Sequence, residues 1–558
     1  MSAKPDALGP EIPDQAQSAP FVTDVEAMVE RLRRLLGDEA VATDRAQREA
    51  CSADVYARGA TCAAVIRCGD PAKLAEAVRL VTRSGCHVLP RGAGLSYTGG
   101  YLPIAEHSVI VDLGSMNRIL DINAEDMTLT VEAGVTWQQI HEALTPLGLR
   151  LPFFGTFSGA RATVGGGLSN GALFFGTARY GTAADAVLGL EVLLADGTRL
   201  RTGQAGFRQA SKSFYRTCGP DLTGLFLHDA GAFGIKLQAS FRLIEAPAAI
   251  GFASFAFTDR AGAARALSAI ARAGLAEDAY VFDPQTTARN MAGTSTRQAL
   301  ETLRSVARGQ GGVSGGGPGA RVRGLAAAAR MAAVGRRAVP AGAWSLHVVC
   351  AGRSAAALRD DLARCRRLAA AEGGQEIADS VPRAVRASLF PNLNAILGPN
   401  GERWAATNAK VAHSDAASML SAVDEVLEPW QPRMSEHGVT TSLVLIAIGN
   451  HAFSVEPVLH WRDEWLPIHT RTAEPEHLAQ LATPSADPVA RAMVHEIRAE
   501  LVELFARHGA ASNQLGKLYP YLDALEPATA DLVAGLKQLV DPAGAMNPGV
   551  LGLPRPSA

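Results

Sequence analysis

The sequence predicts an α+β fold, and three observations carry that prediction. A strand–helix–strand unit spans residues 62–89, a series of short strands closes on an Asp-Gly hairpin near residue 196, and a new strand–helix–strand pattern restarts after Gly251.

Cys62 to Arg67 is apolar enough for a strand, Asp70 and Pro71 offer a cap and a first-turn proline to a helix reaching Ser84, and Cys86 to Leu89 is the next strand. Val109 to Leu113, Ile119 to Asn123 and Thr128 to Glu132 read as short strands, followed by a helix from Thr136 to Leu144. Val187 to Leu194 and Thr198 to Arg201 flank Ala195-Asp196-Gly197, a hairpin signal, and Ile235 to Ile244 is a strand ending near Pro247. The restart gives strand Phe252 to Phe257, helix Ala261 to Ala273 and strand Tyr280 to Phe282. Strands at Trp344 to Cys350 and Thr441 to Ile448 and helices at Ala355 to Ala371 and Ser414 to Leu427 follow.

At 558 residues the chain is long enough for two large domains, and its 47% hydrophobic and 19% charged composition is that of a globular protein. A formal net charge of -2 offers no general attraction to nucleic acid, so none is expected as a partner. Residues 1–20 lack the basic and apolar stretches of a secretory signal, and no apolar run approaches the roughly 20 residues of a spanning helix, so the expected location is cytoplasmic. The seven cysteines are scattered without a C-x-x-C pair and read mostly as small core residues. Residues 291–341 are rich in arginine (Arg297, Arg304, Arg308, Arg321, Arg323, Arg330, Arg336, Arg337) against Glu301, around a glycine tract at 311–319. One reading is a solvated insertion; the sharper one is a basic patch for an electron-accepting partner or for peripheral contact with the inner face of a membrane. A homodimer is left open.

Two glycine-rich runs stand out. Pro90-Arg91-Gly92-Ala93-Gly94-Leu95-Ser96-Tyr97-Thr98-Gly99-Gly100 follows an apolar strand, and its backbone N–H groups can form a concave nest for anionic oxygens. The second, read as another loop, is Thr163-Val164-Gly165-Gly166-Gly167-Leu168-Ser169-Asn170-Gly171. Neither a G-x-x-x-x-G-K-[ST] loop nor a dinucleotide G-x-G-x-x-G opening a helix is present.

These runs, with Phe174 to Thr182, Val187 to Val192, Ala195-Asp196-Gly197, Gly231 to Ile235 and Asp541-Pro542-Ala543-Gly544-Ala545-Met546-Asn547-Pro548-Gly549, resemble the vanillyl alcohol oxidase and p-cresol methylhydroxylase superfamily of FAD flavoproteins. The resemblance implies a tail and helix at 1–54, a two-subdomain FAD-binding domain at 55–247, a cap at 248–500 and a return segment at 501–558. It implies that Pro90, Arg91, Gly92, Ala93, Gly94, Leu95 and Ser96 hold the pyrophosphate. Thr163, Gly166, Gly167 and Asn170 would approach the flavin half, Tyr180, Gly181 and Ile235 would line its walls, Asn547 would complete the return, and Thr156 and Gly176 are also expected to bind the cofactor. Some members attach FAD through a histidine in the first loop; none stands here, so non-covalent FAD is expected.

The pattern is closest to the FAD-linked D-lactate, glycolate and other D-2-hydroxy acid dehydrogenases. The implied reaction passes a hydride from the alcohol carbon to flavin N5, and electrons then go to a quinone, a cytochrome or an electron-transfer protein. Metal-dependent members carry H-x-G-D-G-N-x-H and a later Glu-His-Gly; here the matching positions read Asn450 to Ser454 and Ser512 to Gly516, so no metal is expected. Alternation along Phe453 to Trp461 puts Glu456 and His460 on one strand face, and His460 is the expected base, with His451 nearby. Arg462, Lys517 or Arg383 would bind a substrate carboxylate. Tyr519 and Tyr521 beside Lys517 keep open an O₂-using phenolic or aryl alcohol oxidase, and a non-catalytic flavin-holding electron-transfer subunit is the third reading.

Overall fold

The computed structural model describes residues 24–293, 303–307, 325–326, 328–329, 331 and 338–553. Within 291–341, Arg297, Arg308, Arg321, Arg323, Arg330, Arg336, Arg337, Glu301 and the tract 311–319 lie outside the described residues, and so do the membrane and partner readings placed on them.

The first strand–helix–strand unit forms as its sequence predicts. Asp70 caps the helix Pro71–Arg83 by accepting from the N–H of Ala72 at 2.8 Å, and the helix buries Leu74, Ala77, Val78 and Val81. Strands Ala64–Arg67, Ser108–Asp112 and His87–Arg91 run parallel in that order, with Val41–Ala42 antiparallel at one edge. A second sheet has five antiparallel strands, ordered Ile119–Asn123, Thr128–Glu132, Ile235–Arg242, Val187–Leu193, Arg199–Arg201, and the Asp-Gly signal makes its last hairpin.

The pattern beyond residue 249 builds one eight-stranded sheet. Its order is Gln375–Ile377, Ala249–Phe257, Trp344–Gly352, Asp278–Phe282, Thr440–Ile448, Ala452–Trp461, Arg403–Ala406, and Ala409–Ala412 also pairs with Ala452–Trp461. One face packs Phe255, Val281, Val348, Leu445 and Phe453 against the helices Arg260–Arg272, Ala355–Ala371, Ala416–Leu427 and Pro488–Arg507. On the other face Tyr280, Phe282 and Ile446 share a core with Phe174, Phe175 and Leu168 of the glycine-run segment. This α+β arrangement leaves the sheet looking onto the glycine-rich segments.

The two halves are also joined by buried charges. Arg150 pairs with Glu277, Arg386 pairs with Asp278 at 3.1 Å, and both guanidiniums lie over the Phe154 ring. The other Asp278 oxygen accepts from the N–H of Gly176 at 2.6 Å. Among the described residues, no helix is long and apolar enough to cross a membrane.

Candidate cofactor and substrate site

Backbone geometry decides what the first glycine run can do. It leaves the strand His87–Arg91 and turns at Gly94, whose φ of +77° is costly for other residues. Among the described residues, no backbone carbonyl accepts from the N–H groups of Ala93, Gly94, Leu95 or Ser96. The loop is fixed from behind: Tyr101 donates to the Gly94 carbonyl at 2.7 Å, and Asp54 accepts from the Gly99 N–H at 2.8 Å. Such a row of unclaimed N–H groups suits a phosphate or pyrophosphate.

The second run is a short helix, Val164–Asn170, where the sequence suggests a loop. Thr163 caps it by accepting from the Gly166 N–H, and close packing explains the glycines: a Cβ at Gly167 would lie 2.7 Å from the Trp137 ring, and one at Gly165 would lie 2.9 Å from Ala133. The two runs touch, because a Cβ on Gly92 would lie 2.3 Å from Thr163 Oγ1. Asn170 Oδ1 is buried there without a partner among the described residues.

Residues 545–547 return to the first sheet. Val88 donates to Ala545 O and accepts from Asn547 N, at 2.9 and 2.8 Å, and the Asn547 amide donates to Gly100 O and Ala230 O at 2.6 Å each. Asn547 Oδ1 accepts from Lys517 Nζ at 3.0 Å. Asn547→Ala should therefore cost about 1–3 kcal/mol by leaving these buried groups unmet, and its φ of +44° adds strain. A lower thermal transition checks this; an unchanged melting curve would show that the strap carries no load.

The open face of the eight-stranded sheet presents two rows of side chains. Lys410, Ser454, Ile446, Tyr280, His347 and Ser254 are register partners in one row; Glu456, Val444, Phe282 and Ser345 form the next. Opposite them lie Phe174, whose ring is tilted at 42° to that of Tyr280 with centroids 5.2 Å apart, and Tyr97 of the first glycine run. Burial pushes the Glu456 carboxyl up to about 7. Burial also raises the Tyr97 phenol well above its usual range and Tyr519 to about 12, and the charge of Glu456 adds to both. Burial lowers Lys410 to about 8, opposed by Asp185. His228 is pushed down to about 4 by burial and then by Lys410; a Cβ on Gly171 would lie 2.3 Å from its ring. A titratable carboxyl and a half-buried ammonium thus share one sheet face, Glu456 within electrostatic reach of Tyr97 and Lys410 within reach of His228, which packs against Gly171.

The FAD binding domain family matches residues 62–203. The chain is 31% identical over 261 residues to a probable mitochondrial D-lactate dehydrogenase of Danio rerio, covering 45% of this chain and 49% of that one. It is 33% identical over 180 residues to glycolate oxidase subunit GlcD of Bacillus subtilis, covering 32% and 36%. The chain therefore spans at most about half the length of these curated relatives. The fold matches p-cresol methylhydroxylase with substrate bound, at a TM-score of 0.69 and 20% identity, over 95% of this chain and 97% of that one. The chain carries an FAD binding domain over residues 62–203 and shares the fold of p-cresol methylhydroxylase.

The residues present fit FAD. The unclaimed N–H groups of residues 93–96 suit its pyrophosphate, the orphan oxygen of Asn170 offers an acceptor, and Gly92 and Thr163 meet with no room for a side chain between them. Pro90, Arg91, Gly92, Ala93, Gly94, Leu95, Ser96, Thr163, Gly166, Gly167 and Asn170 come together in the flavoprotein, with Asn547 behind Gly100. Gly176 and Gly181 flank the short helix Thr177–Tyr180, where Tyr180 faces Arg150, while Thr156 bonds Ser158 at 2.9 Å. Ile235 is fully buried in the core with Val88 and Leu193.

The substrate candidates divide. The charge of Glu456 reaches both Tyr97 and Tyr519, and the Tyr519 hydroxyl accepts from Asn408 N–H at 2.8 Å. His460 lies two side-chain rows away, hydrogen-bonded through Nε2 to Ser442 at 2.8 Å, and burial pushes it down to about 3. His451 is exposed at the hairpin turn, and Arg462 donates to Asn400 O at 3.1 Å. Lys517 Nζ donates to Leu102 O and to Asn547, and Arg383 pairs with Asp379 at 2.5 Å and covers the Phe252 ring, so both are committed to structure. Lys410 and His228 escape the sequence reading; the Asn-Ala-Lys-Val alternation at 408–411 was the available signal. Among the described residues no three His, Cys, Asp or Glu side chains gather as a metal cluster.

Proposed function

We propose that the flavoprotein is an FAD-linked oxidoreductase acting on the CH–OH group of a small 2-hydroxy acid, with a separate electron acceptor. The observation that carries this reading is Glu456, a carboxyl lifted to about 7 beside the first glycine run. A base near working pH can accept a hydroxyl proton at its carboxylate oxygen as the carbon loses hydride. When bound, FAD supplies the hydride acceptor. Lys410, on the adjacent strand and same face, offers the positive charge that a substrate carboxylate needs. His460, neutral and held by Ser442, is left without a role in proton removal. The names of the D-lactate and glycolate relatives support the substrate class.

The signs give a pH profile. Glu456 must be ionised, so activity rises with pH through about 7; Lys410 must be protonated, so activity falls through about 8. Anaerobic flavin bleaching should follow a bell between these limits, and Lys410→Met should remove the alkaline limb and raise KM about 10- to 100-fold. A flat profile would sink both roles.

A phenolic reading is favoured by the Tyr97–Tyr519 pair and by Gln514, which donates to the Tyr97 hydroxyl at 3.1 Å. Bleaching with D- and L-2-hydroxy acids and with 4-alkylphenols separates the two. A D-2-hydroxy acid should bleach the flavin and support turnover with a dye but not with O₂. Bleaching by phenols alone would replace the first reading, and a yellow protein that nothing bleaches would make the chain a flavin carrier.

A further inference from the structure

We infer that the chain carries a second binding site, for a small oxyanion, in a cleft at the far end of strand Ala452–Trp461. The cleft has a volume of about 380 Å³ and is lined by Arg289, Asn400, Glu402, Thr440, His460 and Arg462. It is separate from the chamber of Glu456. His460 lies four residues along the strand, about 13 Å away, and Val458 between them is packed among Ile396, Leu397, Leu466 and Tyr97.

Donors converge on this cleft with too few acceptors. Arg289 Nη2 is buried without a hydrogen-bond partner among the described residues, and its nearest carboxylate, Glu402, stands at 3.7 Å. Glu402 is occupied elsewhere: its oxygens accept from Asn400 N at 2.8 Å and Asn400 Nδ2 at 3.0 Å. Arg462 spends one N–H on the Asn400 carbonyl. His460 is 9% exposed; its Nε2 is hydrogen-bonded to Ser442, and its Nδ1 has no partner among the described residues, so the tautomer in which Ser442 donates to Nε2 presents a free Nδ1–H.

Two guanidiniums against one carboxylate leave the cleft positive. Buried donors without acceptors are rare in proteins, and the planar arginine fork matches carboxylate and phosphate oxygens. The chemistry that completes the site is therefore a small carboxylate or phosphate, taken up by Arg289, Arg462 and the Nδ1-protonated tautomer of His460. The site is independent of the hydride chemistry proposed above.

Trp404 is the register partner of His460, so its emission reports on the cleft. Holoprotein would be titrated with inorganic phosphate and, separately, succinate at constant ionic strength held with chloride. A saturable emission change with at least one anion is expected, and the tighter of the two identifies the source. Arg289→Gln should weaken it at least about tenfold with FAD content and substrate bleaching unchanged. If Arg289→Gln does not fold, Arg289→Lys carries the test: weakened but measurable binding supports the site, unchanged affinity overturns it. No saturable change with either anion, undiminished binding in Arg289→Gln, or displacement of the anion by a bleaching substrate would each overturn the proposal. Because the readout is binding, a failure of the hydroxy acid reading leaves this result intact.

Discussion

Glu456→Gln should slow anaerobic flavin reduction by about 10²- to 10⁴-fold, the usual contribution of a general base, with FAD content near wild type. The amide keeps the shape of the carboxyl but cannot accept the proton. Folding should not suffer, because burial already disfavours the charged carboxylate, and among the described residues no ion-pair partner is left behind. The matching control is His460→Ala, whose expected effect on reduction is under about threefold, since losing a hydrogen bond to Ser442 costs about 0.5–1.5 kcal/mol of stability rather than catalysis. Rapid reduction by Glu456→Gln, or a collapse in His460→Ala with FAD still bound, would reverse the roles of the two residues.

Gly92→Val should leave the protein folded but nearly free of FAD. The first Cβ already falls 2.3 Å from Thr163 Oγ1 and 3.7 Å from Gly166 Cα, so the new side chain must drive apart the two glycine-rich segments. Thr163 cannot move aside without releasing the cap of Val164–Asn170. Spreading the loop misaligns several N–H groups at once, and a loss of two of them, at about 1.5 kcal/mol each for a charged acceptor, weakens FAD about 10²-fold or more. Flavin absorbance after gel filtration measures it. Stoichiometric yellow protein would mean that the junction of the two segments is not the cofactor cradle.

Local chemistry made many elements readable. The helix Ala355–Ala371 is bounded as the sequence predicts because Ser354 caps it, accepting from Ala357 N at 3.2 Å, and two glycines follow it. Strands Ile119–Asn123 and Thr128–Glu132 likewise run between their turn residues. The alternation from Phe453 to Trp461 correctly puts Glu456 and His460 on one face, but alternation says nothing of what covers each length of that face. Tyr97 stands within electrostatic reach of Glu456; Ile396 and Leu397 share a core with Val458; a polar cleft receives His460. Lys410 was missed because Ala409–Ala412 is a four-residue strand whose place is set by pairing with residues some forty positions later. The glycines of residues 165–167 read as a loop by propensity, whereas contacts with Trp137 and Ala133 make them helical.

The strap through Asn547 also sets an order of events during synthesis. Its amide joins Gly100 across 447 residues of chain, and Met546 extends the sheet that launches the first glycine run. At roughly 5–20 residues per second, a ribosome needs about 20 to 90 seconds to cover that distance. Until then, the pyrophosphate loop lacks the strap behind it, however early its own strands have paired. Cofactor loading is thereby postponed until residue 547 has been made, so nascent chains and fragments stopped short of it should emerge colourless.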